Sequence, residues 1–393
     1  MNEMNDKPNT IEALSNIECE FVRLVSDNPK IFSSLEIANI RWALSLARIT
    51  KIRLANNDTL NIGHALDIYR IRLHEIFNNA SSVSVINVDN LKKAVSSINQ
   101  IVKTTQNDLL SFFAGKLQIK DLDNAIAKRP LALALGGGGG TCYVFIGVFK
   151  AFAQENIVPS AMAASSMGAI LGAYRALDKN FSLSGLEYLV KNVSWNMLAK
   201  PYSGPSHFGV PATFRLYLRE CLGELFKKNN NYPKIKDLQI PLKVCVAGLS
   251  NVSSPAEDLT VYSNLLSSYN DPYNLNIRSS SILNQILSFA QKPLKPIYLG
   301  SCQLTKNFDL LDALGFSAAI PAVFHYDIFR EDEEMVKIIK QLFEQQNVFR
   351  LIDGGFADNL PSQQALQAIQ NGESADGYDP FVLALDSFVP SLN

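Results

Sequence analysis

The sequence predicts an α/β fold with a mostly parallel central sheet, preceded by an α-helical region. Three observations predict it. Residues 11–128 carry apolar side chains at helical spacing, with little strand-like alternation. Beyond Lys128-Arg129-Pro130, short apolar runs alternate with helical patterns. The first two of these runs lead through small residues directly into a helix. Strands separated by helices pair in parallel, because each helix carries the chain back to the same end of the sheet.

The helical region rests on three stripes. Ile11, Leu14, Ile17, Phe21 and Leu24 recur at three- and four-residue intervals. So do Ile62, Leu66, Tyr69, Leu73 and Ile76, and again Leu91, Val95, Ile98 and Val102. Each stripe makes one apolar face, so residues 1–128 read as a helical bundle or cap, with His64 and His74 as ordinary helix residues. Residues 129–393 read as a second domain. Its strands are expected at Leu131–Leu135, in a run ending at Ala164, at Leu242–Ala247, at Arg350–Ile352 and at Phe381–Leu385. Helices are expected over Phe145–Phe152 and from Met167. Glu331–Gln346 reads as a charged amphipathic helix whose acidic start suits the helix dipole. Ile282, Leu283, Ile286, Leu287 and Phe289 also lie at helical spacing, as a core-packed helix or as a lid that touches membrane.

Composition narrows the function classes. A chain of 393 residues with 47% hydrophobic residues can bury a sizeable core. A formal net charge of -1 argues against nucleic-acid binding, which usually brings a basic excess. The five cysteines are scattered without a CxxC pair, and the four histidines show no metal-ligand spacing. No metal or other cofactor is therefore expected. Neither a signal peptide nor a bilayer-length apolar run is evident, which leads to the expectation of a cytoplasmic or peripherally membrane-attached protein.

Three short motifs carry the candidate chemistry. Gly136–Gly140 follows the first strand and precedes a helix. No Lys-Ser or Lys-Thr pair follows, so it is no Walker loop, and no register gives glycine at the first, third and sixth positions of a dinucleotide loop. A loop of unencumbered N–H groups beside a helix N-terminus can hold an oxyanion; a tight strand-to-helix connection is the plainer reading. Ala164-Ser165-Ser166-Met167-Gly168 has the small residues at minus two and plus two that a nucleophile elbow needs, although it also reads as a helix cap. Asp353-Gly354-Gly355 puts a carboxylate at a strand end, where a plain turn is the alternative.

Taken in order, the glycine loop, the serine elbow and Asp-Gly-Gly resemble the patatin-like phospholipases. Further blocks agree: LALGGGGGTCYVFIGVFKAF (133–152), PLKVCVAGL (241–249), SAAIPAVF (317–324) and DGGFADNLP (353–361), which includes Asn359 and Pro361. The resemblance covers roughly residues 130–390. It implies a three-layer α/β/α domain and a Ser-Asp dyad, with Ser166 as nucleophile and Asp353 as base. It also implies an oxyanion hole at Gly137, Gly138 and Gly139, and lipid ester hydrolysis at a membrane surface by way of an acyl-enzyme. A phospholipid or related lipid ester is the implied partner, and the need for a protein activator is left open. His325 is the histidine nearest a family block and reads as a packing residue. One departure stands out. The family usually has a basic residue and then glycine shortly after the glycine run, where this chain has Thr141 and Cys142. That difference motivates the alternative of a catalytically weak member that binds lipid or a partner. A helical extension on such a domain is also reminiscent of bacterial effectors delivered into host cells.

Overall fold

The structure, a computed structural model, describes residues 10–250 and 294–387, apart from residues 57, 83, 84, 128, 203, 228–230 and 374–376. The helix expected around Ile282–Phe289 lies outside the described residues. By its internal contacts the chain divides into two units, Met1–Pro130 with Ala375–Pro380, and Leu131–Ser374 with Phe381–Asn393.

In the first unit the apolar stripes become helices α1 (Thr10–Asp27), α2 (Ser34–Arg48), α3 (Asp67–Ala80), α4 (Val88–Phe112) and α5 (Ile119–Ala127). Leu14, Phe21, Leu73, Leu91 and Ile98 are buried together, and Ile17, Leu24, Ile76, Val95 and Val102 pack around them. A capping box starts α2. The Ser33 hydroxyl accepts from Glu36 N–H at 3.3 Å, and the Glu36 carboxylate accepts from Ser33 N–H at 2.7 Å. The unit is not wholly helical. Two small antiparallel ladders join β1 (Lys51–Arg53) to β2 (Thr59–Asn61) and β3 (Ser81–Ser82) to β4 (Val85–Ile86). The stripe that begins at Ile62 therefore starts before its helix: Ile62 follows β2, and Leu66 ends a 3-10 turn.

The second unit opens with β5 (Leu131–Leu135), α6 (Val144–Gln154), β6 (Ala161–Ser165) and α7 (Ser166–Leu177). It continues through α8 (Ser184–Asn192), α9 (Trp195–Leu198), β7 (Ala199–Pro201), β8 (Ala212–Leu216), α10 (Leu218–Phe226) and β9 (Leu242–Ser250). After the undescribed stretch come β10 (Leu294–Leu299), α11 (Gln303–Lys306), α12 (Leu310–Ser317), β11 (Ala322–His325), α13 (Glu333–Gln346), β12 (Val348–Asp353), α14 (Ser362–Gln370) and β13 (Phe381–Leu385). The Asp332 carboxylate caps α13 by accepting from Met335 N–H at 3.0 Å.

The main sheet runs β10-β9-β6-β5-β13, with β12 also paired to β9. The pairings β13/β5, β5/β6 and β6/β9 are parallel, while β10 and β12 run antiparallel to β9. The sheet is thus mixed, with a parallel core. β10 has no clear strand signal in the sequence, because Pro296 interrupts its pattern. It sits at the sheet edge, where proline is tolerated. A smaller sheet, β11-β8-β7, stands apart from it.

Alternation across the strands makes three layers. Leu133, Leu135, Met162 and Ala164 enter one core together with Phe149 and Leu171. Ala132, Ala134, Ala161 and Ala163 face the other way, against Ala365, Ala368 and Ile369 of α14. Alanine on both sides of that second interface lets α14 lie close to the sheet.

Candidate active site

The register of β9 creates the site. Its first half pairs with β6, ending at Ser165 opposite Cys245, and its second half pairs with β12, ending at Asp353 opposite Val246. The other edge of β9 is taken by β10. The ends of β6 and β12 therefore meet head to head on one edge of β9. Ser166 and Asp353 stand where the two strands run out.

Ser166 takes the strained conformation of an elbow, with φ 51° at a non-glycine residue. Such a backbone persists only when its surroundings hold it. Here Ser166 N–H donates to Ser317 Oγ at 2.9 Å, and Ser317 Oγ donates to Cys245 O at 2.6 Å. The end of α12 is thereby tied to the start of α7 and to β9. Gly168 supplies the other half of the turn. A Cβ there would overlap the Gly136 carbonyl oxygen and lie 2.8 Å from Leu135 O. Ser166 is the first residue of α7, so the positive end of that helix dipole favours negative charge at its oxygen.

The hydroxyl of Ser166 donates to Asp353 Oδ2 at 2.6 Å, and Gly355 N–H donates to Oδ1 at 2.7 Å. Asp353 N–H is itself held by Ala319 O at 3.0 Å. The carboxyl is buried. Burial pushes it up to about 7, although its two hydrogen bonds favour the anion and pull downward.

The glycine loop lines the same cleft, a space of about 390 Å³ bounded also by Ile320, Phe356 and Asn359. Its glycines differ in duty. Gly137 N–H is occupied: it donates to Asn359 Oδ1 at 3.1 Å and lies 3.3 Å from Asn359 O. A Cβ at Gly137 would stand 2.7 Å from Asn359 Oδ1 and 2.9 Å from Ser166 Cβ. Gly139 has φ 58°, the left-handed region that favours glycine. Among the described residues the Gly138 and Gly139 N–H groups have no acceptor. The loop then turns into a 3-10 segment, Gly139–Tyr143.

Thr141 and Cys142 fill the positions after the glycines with a different anchor. Thr141 Oγ1 donates to Gly138 O at 2.8 Å. The buried Cys142 thiol donates to Gly136 O at 3.5 Å and sits 3.1 Å from Ser387 Oγ, which donates to Gly137 O at 3.2 Å. The loop is thus fastened by a thiol and two hydroxyls rather than by a cation.

His325 lies elsewhere in the unit's hydrogen bonding. It is fully buried, with Nδ1 2.9 Å from Val210 O and its ring stacked on Tyr202 at 4.9 Å. Burial holds it below the usual histidine value. The Ser166 hydroxyl goes to Asp353 instead.

Sequence reasoning assigned no role to Ser317, Asn359 or Ser387. Ser317 and Asn359 stand inside quoted blocks, and one signal was available for the first: a lone hydroxyl in the apolar run LGFSAAIPAVF. Once buried, such a group must find partners. Ser387 lies beyond the last strand with no pattern to mark it.

No curated protein matches the chain. Residues 133–366 match the Patatin family model, described as patatin-like phospholipase. This span opens within β5, closes within α14 and takes in more than half of the chain. The protein therefore belongs to the patatin-like phospholipase family, whose members are generally serine-dependent lipid acyl hydrolases.

Proposed function

We propose that the protein hydrolyses phospholipids or related lipid esters through a Ser166–Asp353 dyad. The reading is carried by the 2.6 Å hydrogen bond from the Ser166 hydroxyl to a buried carboxylate, in a cleft lined by the glycine loop. Ser166 Oγ attacks the ester carbonyl while Asp353 takes its proton. A carboxyl raised to about 7 is a far better base than an ordinary aspartate, and it is still ionised in a large fraction at neutral pH. The N–H groups of Gly138 and Gly139 stabilise the oxyanion, and Gly137, pinned to Asn359, fixes the loop that carries them. Asp353 returns the proton to the departing alcohol. It then deprotonates a water that hydrolyses the acyl-enzyme, releasing a fatty acid and restoring Ser166. Substrate arrives from a lipid surface by peripheral contact; among the described residues no helix is long and apolar enough to cross a membrane.

The test pairs a fluorophosphonate probe with fatty-acid release from phosphatidylcholine vesicles. Wild-type protein should be labelled at Ser166 and should release fatty acid, and Ser166→Ala should do neither. Folded wild-type protein that neither labels nor turns over, even with added cell extract as a source of activator, would sink the proposal in favour of a lipid- or partner-binding member of the family.

A further inference from the structure

A second cavity of about 250 Å³ lies along α7. Its lining carries no charged side chain. One wall is a single face of α7, formed by Met167, Ile170, Leu171 and Tyr174 at the i, i+3, i+4, i+7 spacing of a helix. That wall begins at the residue after Ser166 and extends about 10 Å. Tyr143, three residues beyond the last glycine of the loop, and Trp195 also line it. Both are more than half exposed, at 52% and 57%, so the cavity opens to the outside between aromatic rings.

This combination specifies an occupant. Protein interiors leave few voids larger than a water molecule, and apolar walls are unfavourable to hydrate. With no charge to meet and little hydrogen bonding to satisfy, the lining suits hydrocarbon. Tyr174 does bring a hydroxyl, but it is already donated to Ser182 O at 2.7 Å. The entrance aromatics have the amphipathic character of residues placed where lipid meets water. The two segments that frame the cavity nearest the site are the continuations of the serine elbow and of the glycine loop.

We propose that this cavity holds the acyl chain of the ester cleaved at Ser166, so that the face of α7 beyond the nucleophile sets chain-length preference. This rests on the lipid-hydrolase reading above. The carbonyl carbon lies at Ser166, and the chain runs past Met167 along α7 toward Tyr174. Long chains gain burial in the cavity, whereas short ones end before reaching most of it.

The experiment narrows the cavity and reads chain length. Ile170→Trp adds bulk midway along the wall, and Leu222→Phe, a milder change, adds it from α10. For each variant kcat/KM is measured on p-nitrophenyl butanoate and p-nitrophenyl palmitate, with folding checked by Tm. The palmitate-to-butanoate ratio should fall by about tenfold or more, the scale on which an apolar pocket discriminates chain size. A binding arm works without turnover: Ser166→Ala should bind a fluorescent palmitate analogue that palmitate displaces, and adding Ile170→Trp should weaken that binding by a similar factor. An unchanged ratio in folded variants, or unchanged palmitate affinity, would overturn the proposal. Should Ile170→Trp fail to fold, Leu222→Phe decides in both arms. Should wild-type protein hydrolyse neither ester, the hydrolase reading fails while the binding arm still judges the cavity.

Discussion

Two aspartates of the second unit are equally hidden and oppositely furnished. Asp312, fully buried in α12, accepts from Arg330 at 2.8 and 2.6 Å, from Arg219 at 3.1 Å and from the Tyr326 hydroxyl at 2.7 Å. Asp353, 3% exposed, accepts from one serine hydroxyl and one glycine N–H. Around Asp312 the charges complete one another. Burial alone would lower Arg330, yet its hydrogen bond and charge contact with Asp312 leave it raised and firmly cationic. No cation makes a hydrogen bond or an ion pair with Asp353 among the described residues. Its negative charge is paid in desolvation and stays available to a proton. The comparison teaches that depth alone does not make a carboxylate reactive. A buried carboxylate surrounded by arginines is held as a fastening, and one given only neutral donors keeps a raised pKa and can take up a proton near neutral pH.

The strongest way to break the comparison is to remove the poised group or its partner. Ser166→Ala and Asp353→Asn should each lower hydrolysis by about 10⁴-fold or more, and the double variant should be no slower than the worse single one, because in the proposed dyad the pair acts as a unit. Steady-state rates on a vesicle substrate check this, and an Asp353→Asn enzyme that kept most of its rate would disqualify Asp353 as the base. Next in size is Gly137→Ala. Its Cβ would press on Asn359 Oδ1 and Ser166 Cβ, displacing the loop from the elbow. A loss of about 10²–10³ in kcat is expected, the scale of one missing oxyanion donor; turnover left intact would mean that the loop is only a connection.

The pH profile sharpens the contrast. In the proposed mechanism activity needs ionised Asp353, so kcat/KM should rise with pH to a plateau with its midpoint near 7, and at pH 5 it should be about 10²-fold lower. Stability runs the other way. Because the folded pKa is raised, the native state holds the proton more tightly than the unfolded chain does. Raising the pH from the ordinary aspartate value of 3.8 to about 7 therefore costs stability, with no penalty below that window and the full penalty above it. Asp353→Asn removes this titration, so its Tm relative to wild type should be higher at pH 8 than at pH 4; thermal scans at both values would expose an error of sign. The smallest effect belongs to the fastening. Arg330→Ala strips Asp312 of its bidentate partner and should cost about 2 kcal/mol, less than for a wholly buried pair because Arg330 is 31% exposed. Denaturant midpoints should record that loss, and the rate per folded molecule should stay as it was.

Much of this was legible in the sequence, and for physical reasons. The strands of the parallel core announce themselves as apolar runs flanked by glycine or small residues, and Phe381–Leu385 coincides with β13. Ser166 and Asp353 are visible because the first directly follows a strand and the second ends one, each beside residues that lack bulk. Asp312 is invisible, since DLLDALGF holds no trace of the two arginines that reach it from α10 and from the turn before α13. The division of labour among the glycines is equally hidden. Five identical residues look equivalent in sequence, and only Asn359, more than two hundred positions away, separates the occupied Gly137 N–H from those that follow. β7, β8 and β11 were missed because they are short and belong to a small separate sheet without the core's apolar runs.

The missing side chain at Gly168 has one more consequence. There the first turn of α7 rests directly on the carbonyls of Leu135 and Gly136. The gap between the glycine loop and Ser166 is therefore a thickness of main chain, the same whatever side chains fill the core around it. Leucine can be traded for methionine across the sheet and the spacing will be inherited unchanged. A single methyl group at position 168 would end that inheritance.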